Sequence, residues 1–130
     1  MNWYKKAQNI NPPMNFDSKE GLHQTKLGKA TIWYYVTRIG NVELQSLRVP
    51  QKYRRKGYAK AILSEFIKWL DKEGFSSSLG ASPLDKKTSP QMLENMYSNF
   101  GYSPTGGHIN PVMHKKMKRD PKQKELNELV

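Results

Sequence analysis

The 130-residue sequence predicts one mixed α/β (α+β) domain. Three observations carry this expectation. Ala30–Arg38 (ATIWYYVTR) is dense in β-branched and aromatic residues, the composition of a strand. Ala59–Glu73 sets Ile62, Leu63, Phe66, Ile67 and Leu70 at helical spacing on one face. Along the chain the segments then run as strands, helix, strand, helix, strand.

Taken in order, Asn2–Gln8 fits a short helix, and Asn11–Gly21 (NPPMNFDSKEG) is turn-rich and reads as loop. Leu22–Leu27 fits a short strand that turns at Gly28-Lys29. Ala30–Arg38 is largely apolar on both parities, which predicts a central strand. Ile39-Gly40-Asn41 is a hairpin connection, and a second strand follows over Val42–Val49. Its apolar parity switches: Val42 and Leu44 share one face, Leu47 and Val49 the other. A one-residue β-bulge near Gln45-Ser46 repairs the pattern; a strand buried on both faces with two tolerated polar residues is the alternative. After the helix, Gly74 suits the C′ position, with Phe75 making the accompanying apolar contact. Ser76–Ser82 is weakly strand-like. Ser89-Pro90 reads as N-cap and first residue of another helix, with Met92, Leu93 and Met96 on its buried side and an end before Gly101. Ser103–Pro111 is turn-rich, and Val112–Met117 reads as the last strand. These elements fall in a domain of residues 1–117. Residues 118–130 form a charged C-terminal tail, weakly helical at most over Lys122–Leu129.

Composition bounds the chemistry. The chain has no cysteine, which excludes disulfides, thiolate metal sites and a cysteine nucleophile. Its start, MNWYKKAQN, has no apolar core of a leader, and no apolar run nears the ~18 residues that span a bilayer. A soluble, cytoplasmic protein with no membrane partner is expected. The net charge of +11 favours an anionic partner: a phosphorylated cofactor, nucleic acid or an acidic protein surface.

The charge is not evenly spread. From Arg48 to Lys60 there are six basic residues and no acidic one. They lead into the stretch YRRKGYAKAIL, where an amphipathic helix begins directly after Gly57. A helix N-terminus already carries partial positive charge and unpaired N–H groups, so added cations are unfavourable unless an anion sits there. Strand, glycine-containing loop and helix form the usual frame for a phosphate, and a diphosphate is a natural guest. Neither GxxxxGK[ST] nor GxGxxG is present.

The stretch Leu47–Ala59 resembles motif A of the GNAT superfamily of N-acetyltransferases: a hydrophobic strand end, a spacer, then [Q/R]-x-x-G-x-[G/A], filled here by Arg54, Gly57 and Ala59. Met96–Tyr102 (MYSNFGY) resembles motif B, a tyrosine four residues before glycine and then an aromatic. The likeness covers about Ala30 to Met117, with a helix and a strand between the motifs. It implies the GNAT fold, a mostly antiparallel sheet splayed where acetyl-coenzyme A enters, and no metal. It implies that main-chain groups of Leu47 and Val49 hold the pantetheine arm. The N–H groups of Arg55, Lys56, Gly57, Tyr58, Ala59 and Lys60 then meet the pyrophosphate, with Arg54, Arg55 and Lys56 at its rim.

Acetyl transfer to an amine needs a base, an oxyanion donor and a proton for the leaving thiolate. With no cysteine, direct attack in a ternary complex is favoured. Glu43 is the candidate base, acting directly or through water, by likeness to family members with a glutamate there. Tyr97 is the candidate acid toward sulfur, and a main-chain N–H near Leu47 or Arg48 is the oxyanion donor. His108 and His114 read as surface residues, and His23 has no motif context. Two departures from the family stand out. Ser89-Pro90-Gln91 occupies a region where the family often has asparagine, leaving Ser89 as a substitute cofactor contact. The part before Ala30 is too short for the usual pair of N-terminal helices, so the acceptor side is expected to be open. The acceptor amine is unknown; an open side suits a peptide or protein better than a small molecule. Two other readings remain: a coenzyme A-binding protein with little or no catalysis, and a basic nucleic-acid-binding domain. The second finds no recognised motif, so nucleic acid is a weak expectation. Monomer and homodimer are both compatible with the sequence.

Overall fold

The computed structural model describes residues 14–80, 90–104 and 112–115. Six strands form one sheet: β1 (Gly21–Leu27), β2 (Ala30–Val36), β3 (Asn41–Arg48), β4 (Ser76–Gly80), β5 (Tyr102–Pro104) and β6 (Val112–Lys115). Two helices are α1 (Tyr58–Glu73) and α2 (Pro90–Ser98). The strand order is β1-β2-β3-β4-β6-β5. Only the β3–β4 pair is parallel, which requires the crossover that α1 supplies. The result is the mixed, mostly antiparallel α/β architecture expected.

The first hairpin is closed by the Leu27↔Ala30 pair. Gly28 supplies the positive φ (59°) that such a tight turn needs. The second hairpin turns earlier than expected, because β2 ends at Val36. The hydroxyl of Thr37 donates to the Asn41 carbonyl (2.9 Å) and accepts from its N–H (3.0 Å). Those bonds end strand pairing two residues before Arg38.

In β2, Ala30, Ile32, Tyr34 and Val36 are buried, while Thr31, Trp33 and Tyr35 are half-buried or exposed. β2 is an interior strand, paired with β1 on one edge and β3 on the other, as expected, but only one of its faces is fully buried. Trp33 and Tyr35 lie on a face that no described element covers. The buried face receives α1. The rings of Phe16, Tyr34, Phe66 and Trp69 meet at centroid distances of 5.3–5.9 Å, tilted or edge-on as aromatic quadrupoles prefer. The helix buries Trp69 and the carboxylate of Glu65 beyond the apolar stripe read from the sequence. Glu65 is held by the Met14 N–H (3.3 Å) and by Lys68 (3.0 Å).

Along α2, Leu93 and Met96 pack on the core, but Met92 is half exposed, contrary to expectation. The helix is only nine residues long, so its buried stripe is narrow. Tyr102–Pro104 pairs with β6, so strand reaches into the start of the Ser103–Pro111 stretch that reads as turns. Tyr102 is drawn inward by its hydroxyl, which lies 2.7 Å from that of Ser77 on β4. Asn2–Gln8, Ser89, His108 and the tail from Lys118 lie outside the described residues.

Candidate active site

The bulge lies at Gln45. Trp33 pairs with Ser46 and Tyr34 with Leu44, so Gln45 has no partner on β2. This explains the parity switch: Val42 and Leu44 face the core before it, and Val49 does so after it. The same residue marks a second event. β3 pairs with β4 only from Asn41 to Leu44, opposite Ser76 to Leu79. Beyond it, β3 stays with β2 as far as Arg48, and β4 stays with β6 through Gly80. The two central strands stop pairing in mid-sheet. Among the described residues, Gln45–Arg48 have no strand on their β4 side, so main-chain groups there are left to another partner.

Past β3, Gln51–Tyr53 forms one 3₁₀ turn, and the chain enters α1 through Arg54–Gly57. Arg55 has φ 64°, an uncommon state for a side-chain-bearing residue, and Gly57 has φ 91°. Turns with left-handed residues gather successive N–H groups into a concavity suited to an oxyanion. Among the described residues, the N–H groups of Arg55, Lys56, Gly57, Ala59 and Lys60 donate to no partner. No side chain caps α1 at Gly57, and its first turn holds no carboxylate. Arg55, Lys56 and Lys60 are exposed. Three cations also ring Tyr53: the ammonium groups of Lys29, Lys52 and Lys56 lie 4.8, 5.1 and 5.9 Å from its centroid. None of the three has a carboxylate partner among the described residues.

The sequence-derived candidates divide into three kinds. Val49 and Tyr58 are buried and Ala59 is packed on the core, so their side chains are turned into the fold. Arg54 is half-buried rather than standing at the rim; its Nε donates to the Val49 carbonyl (2.9 Å), tying the turn to the strand end. Arg48 is exposed, its Nε 3.3 Å from the Ser46 hydroxyl and its guanidinium 5.9 Å from the Trp33 ring. Glu43 is exposed one step before the place where β3 and β4 part, and Gln45 Nε2 donates to it (3.1 Å). Tyr97 comes from α2, edge-on to Tyr102 at 5.9 Å, and is almost wholly buried. Burial pushes its phenol up to about 12. No hydrogen bond joins its hydroxyl to another described residue. The Lys29–Tyr53 contact escapes sequence reading, because Lys29 sits in a distant hairpin turn. The described residues contain no cluster of His, Cys, Asp or Glu able to hold a metal. No described helix is long and apolar enough to cross a membrane.

Residues 22–102 match the model of the acetyltransferase (GNAT) family. The chain belongs to that family. Three solved structures illustrate the shared fold. The anti-CRISPR protein AcrVA5 aligns with a TM-score of 0.60 and 18% identity, over 72% of this chain and 97% of its own. The ribosomal-protein-S18-alanine N-acetyltransferase from Escherichia coli aligns at 0.56 and 16%, over 85% and 83%. YhhK, a putative N-acetyl transferase from E. coli bound to coenzyme A, aligns at 0.53 and 15%, over 85% and 83%. No curated protein matches the sequence. In this GNAT chain the family match spans β1 to the start of β5 and takes in the broken β3–β4 pairing and the basic turn.

Proposed function

We propose that the protein is an acetyl-coenzyme A-dependent N-acetyltransferase that acetylates a primary amine by direct attack in a ternary complex. One coincidence carries this reading. β3 and β4 stop pairing at Gln45, and the uncapped, cation-ringed start of α1 follows in the same stretch of chain. The strand gap offers main-chain partners to an extended arm, and the turn offers N–H groups to a diphosphate. Leu47 and Val49 pair with the pantetheine as an added strand. The N–H groups from Arg55 to Lys60 hold the pyrophosphate, while Arg55, Lys56 and the lysines about Tyr53 neutralise it. Arg54 acts from behind, by fixing the turn to Val49.

Three groups serve the chemistry. Glu43 removes the proton from the acceptor ammonium, directly or through water, since an amine of pKa about 10.4 attacks only when neutral. A main-chain N–H at Leu47 or Arg48 stabilises the tetrahedral oxyanion. Tyr97 serves the leaving sulfur. A phenol at about 12 is a weaker acid than an ordinary thiol near 8.5, so complete proton transfer from Tyr97 is uphill. Its contribution is a hydrogen bond to the developing thiolate, which a phenol that keeps its proton is well suited to give. The transferase unit is residues 1–117, with 118–130 as an appended basic tail. The E. coli protein named for a ribosomal-protein alanine supports a polypeptide acceptor, as does the face of β1–β3 that no described element covers.

Two measurements test the reading. Calorimetry with coenzyme A reports binding, and thiol release from acetyl-coenzyme A across an amine panel reports turnover. Release that requires an amine supports the transferase. Binding without release on any amine leaves only a coenzyme A-binding protein, and no binding removes both.

A further inference from the structure

The face of the first three strands that no described element covers is organised in three rungs. Strand register sets Leu22, Tyr35 and Glu43 side by side, then Gln24, Trp33 and Ser46, then Lys26, Thr31 and Arg48. One rung carries the single carboxylate, the middle one carries the indole, and the last carries two cations. Leu22 is 64% exposed and Tyr35 36%, while Gln24, Lys26, Glu43 and Arg48 are all exposed. The carboxylate rung and the cation rung are four residues apart along β2, about 13 Å at strand rise. An extended peptide spans that distance in about four residues.

We propose that this face is the acceptor platform, and that the acceptor is a polypeptide carrying its reactive amine about four residues from an acidic side chain. The inference rests on the transferase reading above. At one end, the ammonium meets Glu43 beside the Tyr35 ring, where it gains both a counter-charge and an aromatic face. Trp33 supplies apolar contact to the residues between. At the far end, the acidic side chain meets Lys26 and Arg48. The polarity of the face thus sets both the direction and the composition of the segment. An overall charge of +11 favours an acidic substrate protein, and the local carboxylate admits the amine within it.

The test uses the full chain and N-terminally blocked peptides, each carrying one lysine. One peptide has aspartate four residues from the lysine, one has asparagine there, one has arginine there, and one has aspartate at the adjacent position. Expected is a kcat/KM for the four-residue aspartate peptide about tenfold above the asparagine peptide, with the arginine peptide lowest. Lys26→Glu, an exposed change remote from the coenzyme A turn, lowers the preferred substrate about threefold and raises the arginine peptide. Fluorescence anisotropy of labelled peptides, without acetyl-coenzyme A, reads the same preference as binding. Equal rates and equal binding across the four peptides overturn the platform, even if every lysine is acetylated. The charge preference in binding with no turnover on any peptide keeps the platform and removes the transferase. A wild-type dimer that Trp33→Ala converts to monomer assigns the face to a second copy of the chain and also overturns the proposal.

Discussion

The two ends of α1 solve the same physical problem in opposite ways. At the C-terminus the chain supplies its own partners. Gly74 turns left-handed (φ 76°) and its N–H returns to the Leu70 carbonyl, which also accepts from Phe75 N–H at 2.9 Å. Lys72 stands in the last turn, where a cation suits the dipole, and the Phe75 ring closes edge-on against Trp69 at 5.5 Å. At the N-terminus Gly57 has no side chain to cap with, and cations stand where carboxylates are favoured. The first end is built for stability. The second keeps uncapped N–H groups and unopposed positive charge, the arrangement that the coenzyme A reading proposed above would use.

The comparison breaks most sharply at the two glycines. Gly57→Glu sets a carboxylate against the diphosphate at a backbone φ of 91°, and is expected to weaken coenzyme A by a hundredfold or more, on the order of a like-charge clash at an interface. Gly74→Ala, at the other end, is expected to cost about 1–2 kcal/mol of stability through its left-handed φ and to leave affinity alone. Calorimetry and urea unfolding on both variants check the pair. Similar affinities for the two would show that the ends do not differ in the way described.

The next effect concerns Tyr97 and Tyr102, ring neighbours with different fates. Tyr102 spends its hydroxyl on Ser77, whereas Tyr97 has no described partner for its own. Tyr97→Phe is expected to lower turnover about a hundredfold with coenzyme A affinity within about twofold. Steady-state kinetics beside calorimetry separate the two. Unchanged turnover would reduce Tyr97 to a packing residue.

A third, smaller effect lies at Tyr53. Replacing Lys29, Lys52 and Lys56 together by alanine is expected to weaken coenzyme A about tenfold and to flatten its salt dependence, since exposed charges act at long range and are screened. Titrations at low and high salt check this. A loss that is the same at both salts points to a disturbed turn rather than removed charge.

These residues also show how far the sequence could be read. The bulge was legible because a period-2 pattern cannot change parity without an extra residue, and Gln45 is that residue. The basic turn was legible because like charge at a helix start is locally unfavourable. Lys29 beside Tyr53 was not, because the approach depends on how a hairpin folds over a loop more than twenty residues away in sequence. The exposure of Tyr35 beside a half-buried Trp33 was not, because local pattern cannot say whether a second layer covers a sheet. Arg54 was assigned by its motif to the rim, but its Nε is engaged by a carbonyl five residues back. Tyr102–Pro104 was too short and too close to glycine and proline to register as a strand.

The smallest expected effect sharpens the tyrosine comparison through pH. Burial favours the neutral Tyr97 phenol, so its pKa rises from the ordinary value near 10 to about 12 in the folded chain. Below pH 10 both folded and unfolded states keep the proton, and the contribution to stability is constant. Between 10 and 12 the unfolded state releases it first, so stability falls as pH rises. Tyr102 is also raised, chiefly by burial and in smaller part by the charge of Tyr97, so the difference between wild type and Tyr97→Phe reads Tyr97 together with that coupling. Urea unfolding at pH 8 and pH 11 is expected to show wild type losing about 1 kcal/mol more than the variant. The same sign governs turnover: Tyr97 stays a hydrogen-bond donor throughout the range in which the acceptor amine becomes neutral, so a rate that rises with pH to about 10 has no falling limb from this residue. An equal pH loss in the two proteins would mean that water reaches the phenol in the folded chain, and burial would then not be what sets Tyr97 apart.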